Sequence, residues 1–82
     1  EKLTKDNFKS TTKSLAKAQS LRSAGNEAYA KGQYESAKVH YTNAIIQSPA
    51  NSLDLAQAYG NRSACFLKLV SILYFQFSFL VF

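Results

Sequence analysis

This sequence is short of the residues that do chemistry. It has one cysteine, Cys65, and one histidine, His40. A single thiol cannot close an intramolecular disulfide, and a single thiolate cannot build a metal cage. His40 has no histidine, cysteine or carboxylate neighbour at metal-ligand spacing. We read Cys65 as a packed helix thiol and His40 as a surface or half-buried helix residue. The five acids, Glu1, Asp6, Glu27, Glu35 and Asp54, are scattered. They offer neither the paired carboxylates of acid–base work nor a base beside a nucleophile. No catalysis, no metal and no cofactor are expected of this chain. One unpaired cysteine suits a reducing compartment, the cytoplasm first and the nucleus as the alternative.

Charge is also missing from one end. No charged residue follows Lys68, whereas Lys2, Lys5, Lys9, Lys13, Lys17 and Arg22 crowd the first 22 positions. The net charge of +5 favours anionic partners. The start is polar and basic with no apolar core, so it does not read as a signal peptide. It begins at Glu1 rather than Met, as expected of a fragment. At 82 residues the chain holds one domain at most, and a marginal one. Its hydrophobic content of 46% sets it apart from disordered chains. Asn61-Arg62-Ser63 matches a glycosylation acceptor, but three-residue matches arise by chance and nothing else points to secretion.

What is present is helical periodicity. Leu15, Ala18, Leu21, Gly25, Ala28 and Tyr29 recur at three- and four-residue steps from about Ser14 onward. Lys31-Gly32-Gln33 ends that helix, since glycine commonly stands just past a helix end. A second helix is predicted from about Tyr34 to Gln47, with Tyr34, Ala37, Tyr41, Ala44 and Ile45 on one face and Pro49 as its stop. After the loop 48–52, a third helix is predicted from about Leu53 to Leu69. Its face carries Leu55, Ala56, Tyr59, Ser63, Phe66 and Leu67. The fold class is all-α, with antiparallel helix pairs joined by short turns.

The small residues have a steric purpose. Packed helices lie roughly 8–10 Å apart, and closer approach needs small side chains at the crossing. Gly25 and Ala28 supply a notch on the first helix, and Ala37 and Ala44 one on the second. Tyr34 and Tyr41 are flat fillers beside them.

In that order, Leu21, Ala24, Gly25, Ala28, Gly32, Tyr34, Ala37, Tyr41, Ala44 and Pro49 resemble the signature of one tetratricopeptide repeat over about residues 18–51. Leu21 and Ala24 are substitutes for the family's more common Trp and Leu. Residues 56–69 look like the first helix of a second repeat. That repeat starts about four residues late, after a loop, "SPANSLDLAQ", longer than the usual turn. The resemblance implies a helix-turn-helix solenoid fragment over 14–69, preceded by a basic leader, 1–13, and followed by an apolar tail, 70–82. It also implies that an extended peptide lies in the concave groove.

Arg22 and Asn26 are four apart, so they share a helix face, and Tyr29 and Gln33 continue it. Asn61 and Lys68 are seven apart on the third helix. This is similar to the two-carboxylate clamp of co-chaperone tetratricopeptide domains, which bind the acidic C-terminal tail of heat-shock chaperones. The resemblance puts Arg22, Asn26, Asn61 and Lys68 on clamp positions and Tyr29 and Gln33 along the groove. Two further basic clamp residues would belong to a third repeat, so the clamp is at most half present. The longer loop and "AYGNRSA" also look like the N-terminal repeats of SET and MYND domain lysine methyltransferases. None of that family's catalytic or zinc-binding residues is in this sequence.

The two ends remain. Lys5, Lys9, Lys13 and Lys17 step by four and would form one basic stripe on a helix. Only Phe8 lies nearby, and a single-strand binder would interleave aromatics. We read the stripe as a solvated face rather than a nucleic-acid site. At the other end, "VSILYFQFSFLVF" breaks the repeat pattern. It is the start of a membrane helix, although 14 uncharged residues fall short of the roughly 20 needed, or a strand, or the product of a truncated coding region that ends true repeat sequence at about Leu69. The third explanation is favoured, and membrane contact is expected only if the tail is native. Drawn as a helix, the tail is expected to pack over the open end of the solenoid.

Overall fold

The computed structural model describes residues 14–81, with no side chains described beyond Ser78. The basic leader, 1–13, lies outside the described residues, and of the lysine stripe only Lys17 is described. Three helices follow in order: α1 Leu15–Ala30, α2 Tyr34–Gln47 and α3 Leu53–Val81. Among the described residues there is no strand.

Local chemistry accounts for the helix ends. Ser14 caps α1, its hydroxyl accepting from the Lys17 amide at 3.1 Å. At the other end the Gly32 amide donates to the Tyr29 carbonyl and the Gln33 amide to the Ala28 carbonyl, both at 2.9 Å. That pair of bonds is a Schellman closure, and it needs a left-handed residue. Gly32 supplies it at φ 78°. Ser48 ends α2 in an extended conformation, ψ 137°, because Pro49 follows it. Although buried, Ser48 is satisfied: its hydroxyl donates to the Ala44 carbonyl at 2.6 Å. Ser52 then starts α3, its hydroxyl accepting from the Leu55 amide at 3.1 Å and donating to the Pro49 carbonyl at 2.6 Å.

α2 lies between its neighbours and packs on both, while α1 and α3 meet over few residues. The core is made mostly of small side chains: Ala18, Gly25 and Ala28 from α1, Ala37, Tyr41 and Ala44 from α2, Ala58 and Cys65 from α3. The α1–α2 crossing follows the sequence reading closely. A Cβ on Gly25 would stand 2.5 Å from Cε1 of Tyr41, so the notch and its filler are matched. Tyr29 and Tyr34 close the end of this interface edge to face, with ring centroids 5.1 Å apart.

α3 departs from expectation in three ways. Its buried face carries Ala58 and Cys65, both 0% exposed, whereas the expected face is largely open, with Tyr59 and Phe66 about half exposed. Both faces have apolar residues at helical spacing, and contact with α2 selects the one whose small side chains allow close approach. The displaced aromatics flank the contact, where Arg62 stacks over Tyr59 at 5.4 Å and Lys38 over Phe66 at 5.5 Å. Second, part of the stretch "SPANSLDLAQ" is helix rather than loop: α3 starts at Leu53, where its periodicity predicts, so Leu53 to Ala56 form its first turn. Third, α3 does not stop at Leu69. No Gly or Pro follows Gly60, so nothing breaks the helix, and it runs to Val81. That extension does not cover the end of the bundle: Tyr74 is 74% and Phe75 72% exposed. Among the described residues no helix is long and apolar enough to cross a membrane.

Candidate functional site

The α1–α3 contact is built from polar pairs. Gln19 Nε2 lies 3.5 Å from Asp54 Oδ1, Arg22 Nη1 donates to Gln57 Oε1, and Asn61 Nδ2 lies 3.4 Å from Asn26 Oδ1. Each pair is separated by 35 residues. A constant separation means that the two helices run parallel and in register. Two antiparallel turns, α1 to α2 and α2 to α3, produce that relation.

Asn26, Tyr29, Ala30, Tyr41, Asn61 and Ala64 line an open hollow of about 280 Å³. At its floor the Tyr41 hydroxyl donates to Asn26 Oδ1 at 2.6 Å. Burial pushes the Tyr41 phenol above its ordinary 10.0, Cys65 and Tyr29 add to the rise, and Arg22 opposes it. The phenol therefore stays protonated and remains a donor. Because Asn26 Oδ1 also faces the Asn61 amide, the Asn26 NH2 is turned away from both. Each asparagine keeps an N–H with no partner among the described residues, in a hollow walled by Tyr29 and Ala64.

Arg22 stands one turn before Asn26, where its guanidinium is already engaged. Besides Gln57 it pairs with Asp54, Nη1 to Oδ1 at 3.4 Å, and the two side chains are 21% and 19% exposed. Lys68 sits apart from the asparagines. It lines a second hollow of about 550 Å³ with Tyr34, Ser71, Ile72, Phe75 and Gln76. Gln33 lines neither hollow and starts α2 through its backbone. The structure thus brings Asn26, Tyr29 and Asn61 together, places Arg22 beside them in an internal ion pair, and separates Lys68 and Gln33.

Three residues of this site went unnoticed in the sequence: Tyr41 as a hydrogen-bond donor, and Asp54 and Gln57 as partners of Arg22. Asp54, Gln57 and Asn61 stand at i, i+3 and i+7, one helix face, so the spacing carried a signal. Cys65 is a free, buried thiol, pushed above its ordinary 9.0 by burial with Lys38 opposing. Among the described residues no cluster of His, Cys, Asp or Glu could hold a metal ion.

No family model matches the chain, and no solved structure matches it significantly. Curated proteins do. Over 49 residues, 60% of this chain and 2% of the relative, it is 43% identical to the E3 ubiquitin-protein ligase TTC3 of Rattus norvegicus. Over 53 residues, 65% of this chain and 15% of the relative, it is 40% identical to Stress-induced-phosphoprotein 1 of Caenorhabditis elegans. Over 52 residues, 63% of this chain and 8% of the relative, it is 42% identical to Hsp70-Hsp90 organizing protein 1 of Glycine max. The chain spans only 2% to 15% of the length of these relatives. None of the three is named as a SET and MYND domain methyltransferase. These relatives are tetratricopeptide-containing proteins, and the all-α arrangement of three packed helices in this chain fits a tetratricopeptide helix-turn-helix fragment.

Proposed function

We propose that this chain is a protein-interaction module that does not itself catalyse, works in the cytoplasm, and holds the C-terminal carboxylate of an acidic peptide between α1 and α3. The tail of a heat-shock chaperone is the ligand class in view. The observation that carries this reading is the meeting of Asn26 and Asn61 in one hollow, with donors left over on both amides. Tyr41 and Asn61 satisfy Asn26 Oδ1, so the asparagine face turned outward is a donor face that suits an anion. A hydrogen bond to a charged group contributes about 1.5–3 kcal/mol. The net charge of +5 supports an acidic ligand, and two relatives whose names concern stress or the Hsp70 and Hsp90 chaperones support this ligand class.

The test uses a labelled acidic peptide with a free C-terminus and its amidated twin, titrated with the full chain and followed by fluorescence anisotropy. One lost charge-assisted bond corresponds to at least about a tenfold difference in Kd. Amidation is expected to weaken binding by that factor, and Asn61→Ala to remove the difference. Equal binding of the two peptides refutes the carboxylate reading.

A further inference from the structure

Arg22 is the cation nearest the asparagine hollow, and its charge is already answered. Asp54 lies 3.4 Å from Arg22 Nη1, and Gln57 accepts from the same nitrogen. From the other side, Gln19 Nε2 reaches the same Asp54 oxygen at 3.5 Å. The pair is therefore held by four side chains, two from each helix, and about four-fifths of each charged side chain is covered. It is screened less than an exposed surface pair would be. Asp54 also has its own reason to be there. It stands in the first turn of α3, where the helix dipole favours a carboxylate, behind the cap made by Ser52.

A guanidinium and a carboxylate at this distance nearly cancel for an approaching anion. We propose that Asp54 acts as an internal substitute for a ligand side-chain carboxylate, so that the site reads the chain-terminal carboxylate alone and gains nothing from an acidic side chain on the last residue. This rests on the carboxylate reading of Asn26 and Asn61. Asp54 is then a specificity residue: it admits peptides by their free end and is indifferent to the residue that carries that end. Repulsion between Asp54 and a second carboxylate held beside Arg22 is expected to change affinity by about three- to tenfold, the lower figure where water screens the pair.

Three labelled peptides, identical up to the last residue, test this against the full chain: one ending in Asp with a free carboxylate, one in Ala with a free carboxylate, and one in Ala amide. The unaltered chain is expected to bind the first two within about twofold of each other. Asp54→Asn removes the charge and keeps the shape. It should tighten the Asp peptide about three- to tenfold more than it tightens the Ala peptide. Gln57→Glu adds a second acid beside Arg22 and should weaken the Asp peptide about threefold. Because this variant keeps Asp54, it stays decisive if Asp54→Asn fails to fold by circular dichroism. Asp54→Asn binding the Asp peptide no tighter than the unaltered chain, or weakening both free-acid peptides, overturns the inference while the carboxylate reading stands. If the Ala amide binds as well as its free acid, the carboxylate reading fails and this inference falls with it.

Discussion

Replacing Gly25 by alanine asks whether the α1–α2 crossing rests on one contact. In an exposed helix interior the change would stabilise by roughly 1 kcal/mol, because glycine loses more backbone entropy on folding. Here the new methyl would lie 2.5 Å from Cε1, 2.7 Å from Cδ1 and 3.0 Å from Cζ of Tyr41. The ring cannot step aside cheaply. It is 2% exposed, and its hydroxyl is tied to Asn26 at 2.6 Å. Overpacking costs about 1–3 kcal/mol, and straining that hydrogen bond adds about 1 kcal/mol. After the helix gain is subtracted, a net loss of about 1–3 kcal/mol remains. For a domain of this size the midpoint should drop by roughly 5–20 °C, followed by circular dichroism at helical wavelengths. Two controls isolate the cause. Gly60 is also helical, but nothing lies within 4 Å of its built Cβ, so Gly60→Ala should raise the midpoint. With Tyr41→Ala already in place, Gly25→Ala should be neutral or stabilising. A higher midpoint for Gly25→Ala in the unaltered background would refute the reasoning.

Two further outcomes are expected. The Cys65 thiol and the Tyr41 phenol are both raised by burial, so the stability they contribute is fully present below their ordinary values and is lost as pH rises past these and through the raised values of the folded chain. Urea midpoints should hold steady to about pH 8.5 and fall above pH 9, with a shallower fall for Cys65→Ala. The exposed rings of Tyr74, Phe75 and Phe77 present roughly 300–500 Å² of aromatic surface, enough to drive self-association. Light scattering should show concentration-dependent growth in mass, and Phe75→Ser with Phe77→Ser should reduce it. A monodisperse monomer at all concentrations would count against this.

Helix identity and helix ends were written locally. Ser14, Gly32, Pro49 and Ser52 act on backbone groups within a few residues, so spacing alone reveals them. The α1–α2 notch was legible for a similar reason: Gly25 and Ala28 on one helix, and Ala37 and Ala44 on the next, recur at helical spacing on one face. The site was legible only in part. Arg22, Asn26 and Asn61 share faces by periodicity, but whether two faces meet is a property of the packed bundle. Tertiary structure alone decided that Ala58 and Cys65, rather than Tyr59 and Phe66, turn toward α2. Apolar residues recur on both faces of α3, and periodicity carries no information about which face a neighbour will cover. It also decided that Arg22 spends its charge on Asp54, 32 positions away, because an ion pair forms where the packing of α1 and α3 on α2 brings two side chains together, and no local pattern records that distance.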